Sequence, residues 1–273
     1  MKQKPVRISF WGVRGSIPSF FRNSNIGGHT SCVSIAYESQ QIVCDAGTGL
    51  YPLGKSLSNK KIPLAIFLSH YHWDHIFGLP FFVPFYEKNR KIKIFGPALK
   101  QGVQQNIAQI MRPPFFPITT KEWKSNPQWC SIKESNFTLG KCKVESRWIK
   151  HVGDTLGYQF KFPGDRRIAY ITDHYWKKED QQFSKWISGA DILIHDTHFD
   201  RKELSQKKNW GHSAFEDVFE LASKAKVKKL VLFHHDPKIE DKKLEGRLKW
   251  CRQRSTRNST QCIIAKEGLI LDI

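Results

Sequence analysis

No run of eighteen apolar residues occurs anywhere in the sequence, so no membrane-crossing helix is expected. The opening residues, MKQKPVRISFWGVRGS, carry charge but lack the apolar core of a secretion signal, and no leader is expected. Cysteine is scarce: six thiols stand at 32, 44, 130, 142, 251 and 262, with no C-x-x-C pair among them. A chain of 273 residues buries enough apolar surface to fold without disulfide staples. These cysteines therefore read as buried thiols in a reducing, cytoplasmic setting. Negative charge is also short, with 25 Asp and Glu against 44 Lys and Arg, for a formal charge of +19. The excess is scattered over "KKIP", "EKNRKIK", "KAKVKK" and "RLKWCRQRSTR", which describes a broadly basic surface and no single binding arm. Such a field draws anionic partners, either nucleic acid or a phosphorylated small molecule. Internal repeats and low-complexity linkers are missing too. "GVRGS" does not have the spacing of a nucleophile elbow, so a Ser-His-Asp hydrolase has no support.

What is present is a series of short apolar runs punctuated by Gly, Asn and Pro. They read as strands at 6–12, 31–38, 41–47, 64–70, 91–97, 141–149, 155–162, 167–173, 190–196, 229–235, 261–267 and 269–273. Helical periodicity is expected at 75–86, 98–111, 213–224 and 242–251, with Ser213 as an N-cap. Hairpin-like groups of strands preceding helices suggest layered sheets flanked by helices in one domain spanning 1–273. Residues 112–136, with "RPPFFP" and "NPQWC", read as a surface excursion, either a lid or a dimer contact.

The densest chemistry lies at 70–75, His-Tyr-His-Trp-Asp-His, directly after the apolar run "LAIFLS". His70 and His72 can turn toward one ion, while Asp74 and His75 can face a neighbouring one as a helix begins. Neutral imidazole is the commonest biological metal ligand. The same rule, an apolar strand ending in His or Asp, recurs at Asp45, His151, Asp173, His195, Asp196, His234 and His235. Strand ends gathered on one rim are where layered sheets assemble a site.

H-x-H-x-D-H after a strand, followed by a later His, Asp and His, resembles the metallo-β-lactamase superfamily of two-metal hydrolases. "GVRGSIP", "GGHTSC", "CDAGTG", "MRPPFFP", "WGHS" and "LFHHDP" are similar to its ribonuclease Z-like branch, and within it to cyclic-nucleotide phosphodiesterases. The resemblance implies an αββα sandwich of α/β class. It implies a first ion held by His70, His72 and His151, a second held by Asp74, His75 and His234, and Asp173 bridging both. Asp45, His195, Asp196 and His235 would support these ligands from behind, with His174 at the rim. His212 is similar to the histidine placed beside the scissile phosphate, supported by Asp196 where Glu is usual. Asp74, Asp173 and His212 are thus expected to carry catalysis.

The activity implied is hydrolysis of 3′,5′-cyclic nucleotides through a hydroxide shared by the ions, with His212 protonating the leaving sugar oxygen. All expected donors are nitrogen or oxygen, which suits Zn²⁺ and also Mn²⁺ or Fe²⁺. Trp73 and Trp210 could offer stacking faces to a base, or simply pack. A homodimer is also implied. The rival readings are an RNA or tRNA 3′-processing endonuclease, another ester or lactone hydrolase on the same fold, and a non-catalytic, metal-stabilised nucleic-acid-binding protein. Against the tRNA reading, the resemblance leads one to expect a long exosite arm between the ligands at 151 and 173, where this sequence reads as a plain hairpin.

Overall fold

A computed structural model describes residues 4–21, 24–255 and 260–273. Two seven-stranded sheets face each other. In chain order the strands are β1 (Arg7–Gly12), β2 (Cys32–Tyr37), β3 (Gln40–Cys44), β4 (Leu64–Phe67), β5 (Ile92–Pro97), β6 (Gln128–Ile132) and β7 (Ser135–Leu139). They continue with β8 (Cys142–Ile149), β9 (Thr155–Phe162), β10 (Arg166–Ile171), β11 (Ile192–Asp196), β12 (Lys229–Phe233), β13 (Gln261–Ile264) and β14 (Ile270–Asp272). The first sheet runs β14-β1-β2-β3-β4-β5-β6 and the second β13-β12-β11-β10-β9-β8-β7. The helices are α1 (Leu50–Leu57), α2 (Trp73–Ile76), α3 (Val103–Ile110), α4 (Gln181–Trp186), α5 (Arg201–Gln206), α6 (Phe215–Lys224) and α7 (Asp241–Arg254).

The central strands carry apolar residues on both faces, and each face meets a different partner. Ile42, Cys44, Ala65 and Phe67 of one sheet pack on Tyr158, Phe160, Ile192, Ile194 and Phe233 of the other. Their sequence neighbours Val43 and Ile66 point the opposite way, onto Leu50, Leu53, Val103 and Ile107 of α1 and α3. Leu193, Leu230 and Leu232 likewise meet Phe215, Val218, Phe219 and Ala222 of α6. The period-two alternation of strands and the i, i+3, i+4, i+7 spacing of α6 thus specify four layers. This is the expected αββα sandwich. Fully buried rings such as Phe67, Phe160 and Phe233 contribute about 1.5–3 kcal/mol each by leaving water.

Several local expectations are corrected. The helix expected at 75–86 stops after Ile76; Pro80 and Pro84 lack the N–H that a continuing helix needs, and short 3₁₀ turns at Leu79–Phe81 and Val83–Tyr86 follow. The segment 98–111 is helical only over Val103–Ile110. Ser213 does not cap α6: Ala214 holds that position, while the Ser213 hydroxyl donates to the His174 carbonyl and accepts from the Trp176 N–H. Residues 112–136 are not one excursion. Gln128–Ile132 is β6, parallel to β5, and Trp123 is buried against Phe85 with centroids 3.9 Å apart. Among the described residues, no helix is long and apolar enough to cross a membrane.

The sheet order decides where chemistry gathers. β3, β4 and β5 run parallel, as do β10, β11 and β12. Their C-terminal ends therefore open on one rim, where Pro97 and Asp196 close β5 and β11 and residues 45, 68–75, 172–173, 197 and 234 follow the strand ends.

Candidate metal centre

The chain leaves three of these strands through residues with left-handed backbone: Asp45 (φ 58°), Asp173 (φ 50°) and His234 (φ 57°). That conformation costs a non-glycine residue roughly 1–3 kcal/mol, and such strain is concentrated where a site over-determines it. All three side chains are buried in the site.

His70, His72, His151 and Asp173 bring ligand atoms within 4.8 Å of one another, and so do Asp74, His75, Asp173 and His234. Asp173 is shared, and its two oxygens are divided. Oδ2 lies 3.6 Å from His70 Nε2 and 3.5 Å from His151 Nε2. Oδ1 lies 2.9 Å from His234 Nε2 and 3.3 Å from His75 Nε2. Asp74 Oδ2 is 3.1 Å from both of those nitrogens, and His72 Nδ1 is 3.3 Å from His151 Nε2.

Supporting groups set the tautomers. Asp45 is a hub whose carboxylate accepts from the Ser69 N–H (2.7 Å), the Ser69 hydroxyl (2.9 Å), the Tyr170 hydroxyl (2.8 Å) and His75 Nδ1 (2.7 Å). Since the Ser69 proton goes to Asp45, Ser69 Oγ accepts from His70 Nδ1 at 3.0 Å. His151 Nδ1 donates to the Gly211 carbonyl at 2.8 Å. In each of these rings Nε2 is left facing the centre. The Nε2 atoms of His70 and His75 are buried without a hydrogen-bond partner, which a bound cation would supply. Two glycines make room: a Cβ at Gly15 would lie 2.3 Å from the His234 ring, and one at Gly211 2.4 Å from His151 Nδ1. Beside Gly15, the Ser16 N–H donates to Asp74 Oδ2 at 2.7 Å.

Charge follows the same division. Loss of water around the ring lowers the buried His70 well below its ordinary value, and lowers the half-buried His151 and the more exposed His72 as well. This favours neutral rings ready to donate a lone pair. Burial also opposes charge on His75 and His234, but facing carboxylates outweigh it. His75 rises well above its ordinary value, and His234 is pushed up to about 10. Asp74 and Asp173 are held well below the carboxylate range by these imidazoles, again against burial. Buried donors, fixed tautomers and paired carboxylates fit two divalent ions.

Behind this centre, Asp196 Oδ2 accepts from His212 Nδ1 at 2.8 Å and from the His174 N–H at 3.1 Å. The Asp196 carboxyl sits at about 2, because the His212 charge and hydrogen bond outweigh its burial. His195 is turned away from the ligands: Nδ1 donates to the Asp196 carbonyl and Nε2 meets His174 Nδ1 at 3.1 Å. His235 is turned away too, with Nε2 donating to the Ala265 carbonyl at 3.0 Å. Trp73 and Trp210 are exposed. Trp73 borders a cavity of ≈ 220 Å³ with Phe77, Phe81, Phe115 and Phe116. Three buried residues lie outside the sequence expectations for the site: Ser69 and Tyr170, which bond Asp45, and His198, which stacks on His212. For His198, its position three residues after His195 in "HDTHFD" was the available signal.

This rim of paired clusters on an αββα sandwich defines a metal-dependent hydrolase of the metallo-β-lactamase fold. The family model described as "Beta-lactamase superfamily domain" matches residues 40–235, well over half of the chain, and the chain belongs to that superfamily. It lies on the ribonuclease Z-like branch. It is 25% identical to the ribonuclease Z of Picrophilus torridus, over 86% of this chain and 87% of that one. To the ribonuclease Z of Sulfolobus acidocaldarius it is 27% identical, over 83% and 87%. In fold it is similar to the metallo-β-lactamase fold protein YhfI of Bacillus subtilis, with a TM-score of 0.75 and 19% identity over 99% of this chain and 100% of that one.

Proposed function

We propose that this protein is a metal-dependent phosphodiesterase. The observation that carries the reading is the division of Asp173, one oxygen toward each cluster, beside a His212–Asp196 pair that belongs to neither ligand set and lies against His234. His70, His72 and His151 would hold one ion and Asp74, His75 and His234 the other. We favour zinc for this nitrogen- and oxygen-donor set. Divalent ions so placed supply Lewis acidity and an acidified water. The chain's own residues do the remainder. Asp173 and Asp74 fix the negative charge that balances the ions, and the Ser16 N–H fixes Asp74. His212, anchored through Nδ1 on Asp196, presents Nε2 as the donor for the leaving sugar oxygen. A positioned acid of this kind is worth about 10²–10⁴-fold.

The named relatives favour RNA as substrate over the cyclic nucleotides expected from sequence, and the basic surface suits a polyanion. One observation favours the small substrate. Between His151 and Asp173 the chain makes only β9, a turn at 163–165 and β10, leaving no space for the exosite arm that the resemblance attaches to tRNA processing. The deciding experiment incubates protein of known ion content with 3′-extended RNA, cyclic mono- and dinucleotides and bis-(p-nitrophenyl) phosphate. Hydrolysis of the RNA at its 3′ extension selects the ribonuclease, and hydrolysis of cyclic nucleotides alone selects the phosphodiesterase of small substrates. If the two-ion protein cleaves lactones or thioesters and no phosphodiester, the reading fails. The homodimer implied by the resemblance is a further part of this proposal, read out by sedimentation of the same preparation.

A further inference from the structure

We propose that His198 is a positioning residue that holds the His212 ring in the plane from which it donates. This rests on His212 being the proton donor. The torsion of an imidazole about its Cβ–Cγ bond is intrinsically broad, and Asp196 restrains the His212 ring at one atom only. His198 supplies the missing constraint. Its ring lies face to face on His212, with centroids 4.3 Å apart and planes 12° from parallel. Phe199 meets His212 edge-on, at 5.7 Å and 79°.

The stacked ring is itself clamped. His198 Nδ1 donates to the His234 carbonyl at 3.0 Å, and its backbone N–H donates to Asp196 Oδ1 at 2.8 Å. From α7, the buried Arg247 donates to the carbonyls of Thr197 (2.6 Å) and His198 (3.3 Å), fixing the loop from below. Asp196 therefore anchors both histidines, one through each oxygen. His198 is buried at 2% exposure and belongs to neither ligand set assigned above. Its ring does come together with Asp196, His212 and the ligand His234 in a third cluster whose ligand atoms lie within 4.8 Å of one another, and its Nε2 is 3.7 Å from Asp236 Oδ2. Its place against His212 gives it a use that packing alone does not require.

The test uses ion-loaded protein, with ion content measured for every variant. It compares the sugar-leaving diester turned over in the panel above with bis-(p-nitrophenyl) phosphate, whose leaving group needs no proton. His198→Ala is expected to lower kcat on the sugar diester about 10- to 100-fold, the scale of a small misplacement of a reacting group, with KM unchanged. The nitrophenyl ester should slow far less. Adding His198→Ala to His212→Ala should cost nothing more, because the first acts through the second. His198→Phe keeps the stacked plane and should retain most activity, whereas His198→Gln keeps a donor but no plane and should behave like the alanine variant. If His198→Ala does not fold, the Phe and Gln variants carry the comparison. Equal slowing of both substrates, additivity with His212→Ala, or a Gln variant better than Phe would overturn the proposal. Should His212→Ala itself leave the sugar diester unaffected, the donor reading fails. A slow His212→Ala beside a normal His198→Ala sinks only the role of His198.

Discussion

His70, His72 and His151 face Asp173 from one side; Asp74, His75 and His234 face it from the other. The two groups share residue types, a rim and a carboxylate, yet their electrostatics are opposite. On the first side, loss of water lowers all three imidazoles, most of all the buried His70, so an ion meets lone pairs. On the second, burial is outweighed by Asp74 and Asp173, joined by Asp45 beside His75 and by Asp196 near His234, and both imidazoles are pushed up. The difference comes from extra carboxylates: Asp74, placed by a turn of helix and a backbone N–H, faces both rings, and Asp45 adds to it at His75. A buried imidazole is neutral or charged according to what faces it, and its type alone does not decide.

The sharpest way to break this contrast is to remove Asp74. Asp74→Ala should empty the second side while leaving the first able to bind, and activity should fall by about 10³-fold or more, since two-ion chemistry needs both clamps. Ion content by mass spectrometry together with turnover checks it; two ions still held tightly would show that the division is wrong. Next come the glycines that separate the sides. Gly15→Ala should weaken ion binding mainly through His234, and Gly211→Ala mainly through His151, each by about 10- to 100-fold, the usual penalty for disturbing ligand support. Competition with a chromophoric chelator measures both, and identical effects on the two sides would erase the distinction.

Asp45→Asn touches both sides, His75 directly and His70 through Ser69, and falls in the same 10- to 100-fold range. It should reduce both affinities together.

The smallest effect is in pH. In ion-free protein, the depressed Asp74 and Asp173 give stability that is present above their ordinary range and lost on acidification. The raised His75 and His234 give stability that is complete below 6.5 and lost as pH climbs, for His234 on the way to about 10. Melting in the presence of EDTA should therefore weaken from pH 6.5 upward, whereas ion-loaded protein should not follow that trend. Parallel curves would mean that protons do not stand in for the ions.

Much of this was legible in the chain, for reasons visible in particular residues. "LAIFLSHYHWDH" declares a buried strand followed by donors, because apolar runs must be covered on both faces and imidazoles rarely crowd without use. β6 and β7, "QWCSI" and "SNFTL", escaped notice because edge strands mix exposed polar residues with half-buried ones and lose the apolar signal. The helix expected after His75 failed because its apolar content outweighed Pro80 and Pro84 in the reading. His198 was overlooked because it ends no strand; its meaning lies in the ring it stacks on, fourteen positions later.

By itself the sequence determined the buried strands, their donors and the kind of chemistry those donors suit, because alternation and residue type are local properties. The tertiary structure alone decided which imidazole meets which carboxylate and which nitrogen of each ring faces inward. It also decided that Asp173 turns one oxygen to each side. Those facts depend on parallel strand ends and left-handed exits brought together from positions 45 to 234, and their energy exists only once water has been excluded from between them.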